Sequence, residues 1–169
     1  MERVFIKFEF EKLTQKNAII IADKWKYEGE YSFYNMTEDI EDYEEFIDEE
    51  SRNKNECFQA ILDNELSGYF CLTRNGEIIE IGLGLKPDLC GKNKGLGKEF
   101  VMQLVNFVYK NFEFDKLILN VAFFNKRAIK VYHSCGFRDV EIFNQKSNRG
   151  IYPFLRMEKL NKFEVENLN

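Results

Sequence analysis

Apolar positions recur along the chain with two spacings, one typical of helices and one typical of strands. The clearest helical stripe lies within 96–112 and consists of Phe100, Val101, Leu104, Val105, Val108 and Phe112. In chain order we expect a strand at 3–8, helices at 15–25 and 38–50, strands at 56–62, 66–73 and 77–85, a helix from about Leu96, a strand at 116–121, a helix at 126–134, and a closing hairpin of 138–145 and 151–160. This order predicts a mixed α/β (α+β) fold, with about four helices around a central, partly parallel sheet.

Local signals mark several ends of these elements. Thr14 and Thr37 precede the first two predicted helices and are candidate N-caps. Asn75-Gly76 is a hairpin signal between two predicted strands, and a tight turn is expected at 63–65. We expect one domain over 1–160 and a polar tail over 161–169.

Composition excludes some classes of function. A net charge of −5 argues against nucleic acid as the principal partner, and no segment is apolar for long enough to span a bilayer. The N-terminus lacks the apolar core of a signal peptide. The four cysteines (Cys57, Cys71, Cys90 and Cys135) show no C-x-x-C pairing, which predicts reduced thiols in a cytoplasmic protein and no zinc site.

A basic, glycine-rich turn separates the strand at 77–85 from the long helix. Gly91, Gly95 and Gly97 allow the backbone to bend and to approach a bulky ligand. Unpaired N–H groups at the start of the helix, with Lys92, Lys94 and Lys98 nearby, form a seat for an anion. The pattern therefore predicts a ligand that carries phosphate, and the alternative is a basic surface turn.

Two common phosphate motifs do not fit this turn. A P-loop requires a glycine five positions before Gly97 and Ser or Thr after Lys98, where the chain has Lys92 and Glu99. A dinucleotide fingerprint requires a third glycine where the chain has Phe100.

Two blocks of the chain form a recognisable pair. The turn contains Lys92-Asn93-Lys94-Gly95-Leu96-Gly97, and after the strand at 116–121 residues 125–137 have the pattern N-x-x-A-x-x-x-Y-x-x-x-G-F. The first block resembles the Q/R-x-x-G-x-G/A pyrophosphate loop of the GNAT superfamily of acyl-CoA transferases, with Lys92 in the place of Gln or Arg, and the second resembles a block of the same superfamily. The resemblance implies the GNAT fold, with a sheet that splays open where acetyl-CoA enters. The sequence of 81–89 is similar to sequences of the branch that acetylates ribosomal proteins and small molecules.

The strand at 77–85 carries glycines at two positions on one face, which it shares with Ile78 and Glu80. Gly82 and Gly84 weaken a strand, so we expect something to lie against its backbone there; the alternative is a bulge. In the superfamily this strand parts from its parallel neighbour, and the pantetheine arm of CoA pairs with it as an added strand would. The resemblance thus implies cofactor contacts at Ile81 and Leu83, and an oxyanion donor among the backbone amides of 80–84.

The resemblance also implies roles for individual residues. The phosphate seat comprises Lys92, Asn93, Lys94, Gly95, Leu96, Gly97 and Lys98, with Arg127 and Lys126 as further phosphate contacts; the alternative for these last two is an exposed, basic helix start. Asn125 suits an N-cap by its own chemistry, and in the family it binds the pantetheine arm. Gly136 suits the end of that helix.

The same resemblance points to an acid and a base. Tyr132 is the candidate general acid for the departing thiolate, and its alternative is a packing role with Ala128 and Cys135. Glu80 is the candidate base for the amine, because partial burial can raise the pKa of a carboxyl group. His133 is expected at the surface.

Aromatic residues are dense over 25–34, which we call the aromatic segment, and carboxylates are dense on the helix predicted at 38–50. Together they favour a cationic amine as acceptor, and the alternative is that the rings are core and the acids a solvated face. We therefore predict an acetyl-CoA-dependent N-acetyltransferase that acts on a primary amine of a small molecule or peptide, by direct transfer in a ternary complex. We expect a monomer or homodimer, without nucleic acid or membrane partners. The rival hypotheses are a non-catalytic CoA-binding or sensing module and an RNA-binding protein, which would need a basic stripe.

Overall fold

A computed structural model describes residues 5–91 and 95–161 of the chain. Its strands and helices, in order, are β1 (Glu9–Lys12), α1 (Gln15–Lys24), two 3₁₀ helices (Gly29–Tyr34 and Met36–Glu38), α2 (Ile40–Ile47), α3 (Glu49–Lys54), β2 (Glu56–Leu62), β3 (Glu65–Asn75), β4 (Ile78–Leu85), a 3₁₀ helix (Pro87–Leu89), α4 (Leu96–Asn111), β5 (Lys116–Ala122), α5 (Lys126–Ser134), β6 (Arg138–Ser147) and β7 (Gly150–Leu160).

The seven strands form one sheet with the order β1-β2-β3-β4-β5-β7-β6. Every neighbouring pair is antiparallel except β4 and β5, which run parallel. The parallel pair follows from the chain's path, because α4 connects the two strands as a crossover helix. The predicted mixed, partly parallel sheet is confirmed.

Helices cover the two faces of this sheet. Phe70 and Leu72 of β3 join the main core with the buried stripe of α4, whereas Tyr69 and Cys71 belong to a second core with α1. Successive strand residues point to opposite faces, so α4 and α1 pack on opposite sides. We call the α1 side the acceptor face.

The predicted turns and caps are largely confirmed. The Thr14 hydroxyl accepts from the Asn17 amide, and Gly136 ends α5 with a φ of 94°. The hairpins at Asp63–Asn64 and Asn148–Arg149 each have two residues of positive φ between paired strands, as type I′ turns require.

Two predicted elements were wrong. Among the described residues the first strand is β1, and 5–8 of the strand predicted at 3–8 are not in a strand; residues 3 and 4 lie outside the described residues. Phe8 instead buries its ring against Phe100, with ring centroids 5.3 Å apart. The helix predicted at 38–50 is divided into α2 and α3. Asp48 ends α2 in an extended conformation and caps α3 by accepting from the Ser51 amide at 3.1 Å, while Asp39 takes the capping place expected for Thr37.

The expectation of four reduced thiols is also wrong for two of the cysteines. Cys57 and Cys71 lie directly opposite each other on β2 and β3 and form a disulfide, whereas Cys90 and Cys135 are free thiols. Sequence spacing did not suggest this pair, because cross-strand register brings together residues with no C-x-x-C motif. Within 5–91 and 95–161, none of the helices has the length and apolar character needed to cross a membrane. Residues 162–169 of the predicted tail lie outside the described residues.

Candidate active site

The central feature of the site is an opening in the sheet between β4 and β5. The two strands pair only from Ile78–Lys116 to Glu80–Ile118. Beyond Glu80, β4 stays paired with β3 as far as Leu85, while β5 stays paired with β7 as far as Ala122. The edges of these two strands that face each other therefore enclose a gap whose closed end is at Glu80.

The two glycines of β4 have different surroundings. A Cβ at Gly84 would overlap the ring of Tyr69, so this glycine makes room for a side chain of the acceptor face. A Cβ at Gly82 would meet nothing within 4 Å. The backbone at Gly82 is therefore open for a ligand near the closed end of the gap, while the side chains of Ile81 and Leu83 face the main core and leave only backbone groups for a cofactor.

The start of α4 provides amides for an anion. Gly95, with a φ of 67°, is the N-cap, and the first bond of the helical ladder runs from the Glu99 amide to the Gly95 carbonyl at 3.2 Å. The amides of Leu96, Gly97 and Lys98 thus precede the ladder and point out of the helix end. Lys92, Asn93 and Lys94, predicted as part of this seat, lie outside the described residues.

Arg127 brings a cation to the same end of the gap. One of its terminal nitrogens lies so close to Gly91 that a Cβ there would be 2.8 Å away. Its guanidinium carbon lies 4.2 Å from the centre of the Tyr31 ring. The side chain therefore sits between the glycine-rich turn and the aromatic segment, whereas the ammonium of Lys126 lies over the Phe123 ring at 3.3 Å.

Asn125 is buried, and both the oxygen and the nitrogen of its side-chain amide form hydrogen bonds. Its Oδ1 accepts from the Ala128 amide at 3.1 Å, which confirms the predicted N-cap of α5. Its Nδ2 donates to the Tyr34 hydroxyl at 3.1 Å. One Nδ2 hydrogen remains for a ligand, because a side-chain amide has two.

Tyr132 lies on α5 and packs against the main core, with its ring centroid 6.1 Å from that of Phe137. Burial raises the pKa of its hydroxyl well above the ordinary value, and Tyr34, Tyr69 and Cys135 raise it further. Tyr34 and Tyr69 belong to the acceptor face, while α5 packs on the other face. Because the pKa of Tyr132 is raised, its phenol carries its proton at neutral pH.

Glu80 lies at the closed end of the gap, on the acceptor face. It lines a cavity of about 380 Å³ together with Thr73, Asn75, Ile78, Ile118 and Arg156. The Asn120 amide donates to its carboxylate at 3.0 Å. A carboxylate that borders an open cavity beside the gap can accept a proton from an amine that enters from this face.

The aromatic segment is part core and part site. Trp25 is buried in the second core, and Phe33 packs against Tyr152 and Phe154. Tyr27 instead donates its hydroxyl to the Leu85 carbonyl of β4 at 2.8 Å, and Tyr34 bonds Asn125. Burial raises the pKa values of Tyr27 and Tyr34, so both hydroxyls are neutral in the folded protein.

Sequence reasoning did not select four residues that the structure brings to the gap, namely Tyr27, Tyr34, Asn120 and Arg156. Asn120 had a detectable signal, since it is a polar residue inside the apolar strand Lys116–Ala122. The tyrosines lay within a dense aromatic run that gave no means of separating core from site. His133, as expected, is exposed, and its Nε2 lies 2.6 Å from the Asp139 carboxylate.

A family model described as the acetyltransferase (GNAT) family matches residues 22–137, which is more than half of the chain. The chain belongs to this family. The resemblance seen in the two sequence blocks is confirmed, and the chain is an acetyltransferase whose acetyl donor is acetyl-CoA.

Solved structures resemble this acetyltransferase over nearly its whole length. Aminoglycoside acetyltransferase AAC(6')-Ib in complex with coenzyme A is 16% identical, with a TM-score of 0.71 and coverage of 96% of this chain and 100% of that chain. A chimera of spermidine N-acetyltransferase SpeG from Vibrio cholerae and hSSAT is 19% identical, with a TM-score of 0.67 and coverage of 96% and 98%. Ribosomal-protein-S5-alanine acetyltransferase from Vibrio fischeri is 15% identical, with a TM-score of 0.64 and coverage of 95% and 96%. At these identities the likeness concerns the fold, and no curated protein sequence matches the chain.

Proposed function

We propose that this acetyltransferase moves the acetyl group of acetyl-CoA to a primary amine of a cationic acceptor, by direct transfer in a ternary complex. The observation that carries the proposal is the gap between β4 and β5, which is closed at Glu80 and open beyond it, and we assign the acid to Tyr132 of α5 and the base to Glu80. An acid and a base on either side of a reacting thioester are what this transfer requires.

The residues of the gap fit acetyl-CoA. The free amides of Leu96, Gly97 and Lys98, with Arg127 across the turn, suit the diphosphate. The unpaired edge of β4 beyond Glu80 suits the pantetheine arm, which would bond the backbone of Ile81 and Leu83 as a strand does. Asn125 can add one hydrogen bond to that arm.

Two proton transfers accompany the reaction. Glu80 accepts a proton from the acceptor ammonium, whose ordinary pKa of about 10.4 would otherwise keep it charged. The amine nitrogen then bonds to the carbonyl carbon of the thioester, and the carbon–sulfur bond breaks. Tyr132 donates its proton to the departing thiolate, and backbone amides of 80–84 that face the gap can stabilise the oxyanion.

A cationic acceptor is supported by the charge of the acceptor side. Seven carboxylates lie on or beside α2, namely Glu38, Asp39, Glu41, Asp42, Glu44, Glu45 and Asp48, and among the described residues none of them is in a salt bridge. Burial and the neighbouring carboxylates Asp39, Glu45 and Glu41 raise the pKa of Asp42. A field of this sign attracts an amine. Two of the structurally similar proteins are named for cationic amines, spermidine and aminoglycosides.

The test is thiol release from acetyl-CoA with spermidine, ribostamycin and a short peptide as acceptors. Tyr132→Phe is expected to lower kcat about 10²-fold while the KM for the amine changes little, because the phenol acts on the leaving group. The matched control is Tyr109→Phe, since the Tyr109 hydroxyl bonds the Leu160 carbonyl at 3.2 Å, away from the gap. Full turnover by Tyr132→Phe would show that Tyr132 is not the general acid. Binding of acetyl-CoA without turnover of any amine would favour the non-catalytic CoA-binding module.

A further inference from the structure

A chain of polar side chains crosses four strands of the acceptor face and ends at Glu80. The Arg156 guanidinium on β7 donates through Nη1 to the Glu141 carboxylate on β6 at 3.1 Å. Its Nε donates to Oδ1 of Asn120 on β5 at 3.2 Å. Nδ2 of Asn120 in turn donates to the Glu80 carboxylate on β4 at 3.0 Å.

The chemistry of the two neighbours fixes the orientation of the Asn120 amide. A guanidinium can only donate hydrogen bonds and a carboxylate can only accept them. The amide oxygen must therefore face Arg156, and the amide nitrogen must face Glu80. An asparagine between these two groups has one orientation, whereas an asparagine in water has many.

The place of Asn120 in the sheet makes this bond span the gap. Ile118 is the last residue of β5 that pairs with β4, and Asn120 is the next residue of β5 on the same face. The side chain thus bridges from the diverging strand to the last paired residue of β4. Backbone hydrogen bonds between the two strands end at Glu80, so the bond from Asn120 is what holds this carboxylate on the side where the strands part.

We propose that Asn120 is a positioning residue for the base Glu80, and that Arg156 orients Asn120. The inference rests on the proposed function, because it gives Glu80 its role there. Asn120 donates to one carboxylate oxygen, Oε1, which leaves the other oxygen, Oε2, to accept the proton of the amine. The residue does not contact the reacting atoms.

The experiment is a double-mutant cycle in steady-state kinetics, with spermidine, ribostamycin and a short peptide as acceptors. Glu80→Gln is expected to lower kcat by about 10²-fold or more, as loss of a general base does. Asn120→Ala is expected to lower kcat by about tenfold, in the middle of the range for residues of one hydrogen-bond network. The double variant is expected to be no slower than Glu80→Gln alone, because Asn120 acts only through that carboxylate.

A second variant separates hydrogen bonding from packing. Asn120→Asp keeps the shape of the side chain and loses the donor, so it is expected to be at least as slow as Asn120→Ala. The control Asn106→Ala, on the exposed side of α4, is expected to match the wild type. The KM for acetyl-CoA is expected to stay within about twofold in all single variants, since none of these changes touches the phosphate seat.

The outcomes separate this inference from the proposed function. Defects of Asn120→Ala and Glu80→Gln that multiply, or full activity of Asn120→Asp, would overturn the positioning role while acetyl transfer stands. Full activity of Glu80→Gln would show that Glu80 is not the base and that Asn120 has no positioning role. A wild-type protein that acetylates none of the three amines would contradict the proposed acceptor class, and the inference would fall with it.

Discussion

Nδ2 of Asn125 donates a hydrogen bond of 3.1 Å to the hydroxyl of Tyr34, which lies 91 residues earlier in the chain. Asn125 caps the helix that carries Tyr132, and Tyr34 ends the 3₁₀ helix of the aromatic segment. The same segment touches the cofactor side again where the Tyr31 ring packs on Arg127. The aromatic segment is thus attached to the residues that are proposed to hold acetyl-CoA.

Removal of the Tyr34 hydroxyl tests this attachment. Tyr34→Phe leaves the buried Nδ2 of Asn125 without its acceptor, which is expected to lower the free energy of unfolding by about 1–3 kcal/mol. Tyr31→Phe is the matched control, because the ring that packs on Arg127 is kept; its effect is expected to stay within about 0.5 kcal/mol. Urea unfolding of both variants measures the difference, and equal stabilities would show that the bond to Asn125 contributes nothing.

The two glycines of β4 are expected to respond in opposite ways to the same substitution. Gly84→Ala places a methyl group in the ring of Tyr69 and is expected to cost about 1–3 kcal/mol of unfolding free energy. Gly82→Ala meets open space, so stability is expected to be kept or raised by about 0.4–1 kcal/mol through the unfolded chain. The added methyl group projects from the acceptor face beside Glu80, near the closed end of the gap, so kcat/KM for the amine is expected to fall.

Melting curves and thiol-release rates of the two alanine variants check this prediction. Loss of stability in Gly82→Ala would mean that this position is not open. Full stability in Gly84→Ala would mean that the Tyr69 ring does not press on β4.

Four half-buried tyrosines, whose hydroxyls have raised pKa values, make stability depend on alkaline pH. Burial raises the pKa values of Tyr27, Tyr34 and Tyr132 above their ordinary value of 10, and it raises that of Tyr69 to about 12. In the unfolded chain these phenols ionise near pH 10. Their contribution to the free energy of unfolding is therefore fully present below that pH, and it is lost as the pH rises toward their pKa values in the folded protein. The melting temperature is therefore expected to be level between about pH 8 and 9.5 and to fall above about pH 10.

Tyrosinate absorbance provides the independent check on this pH dependence. Of the eight tyrosines, at least these four are expected to ionise only as the protein unfolds. Complete ionisation near pH 10 with an intact fold would contradict the burial of their hydroxyls.

The cross-strand disulfide predicts the thiol count of the protein. Unfolded without reductant, the chain is expected to show two reactive thiols, Cys90 and Cys135, and after reduction four. The Cys57–Cys71 bond closes a separation of 14 residues, for which the loss of chain entropy is worth about 3 kcal/mol of stability. Four thiols before reduction would show that the pair is reduced, as the sequence suggested.

Local chemistry in the sequence predicted those parts of the fold that depend on neighbouring residues. The stripe on α4, the N-cap at Asn125 and the glycine at the end of α5 each follow from interactions within a few residues. The sequence did not predict the boundary between α2 and α3, because Asp48 fits either a residue on the acidic face of one helix or the N-cap of a second helix. In the structure the capping bond to the Ser51 amide decides for the second.

The sequence predicted the motifs of the candidate site but not the hydrogen bonds that join its residues. Glu80, Tyr132 and the turn at Gly95 stood out because of residue type and spacing. The bonds from Tyr34 to Asn125 and from Asn120 to Glu80 join residues 91 and 40 positions apart. Such contacts depend on how strands and segments pack in space, and no local pattern specifies them.

Binding of acetyl-CoA to the wild-type protein tests the central claim most directly. If the gap between β4 and β5 and the amides of α4 hold this molecule, a concentration of about 100 times its Kd stabilises the folded protein by about 2.7 kcal/mol. For a chain of this size the melting temperature is then expected to rise by about 5–10 °C. A melting temperature that stays unchanged at saturating acetyl-CoA would contradict the account.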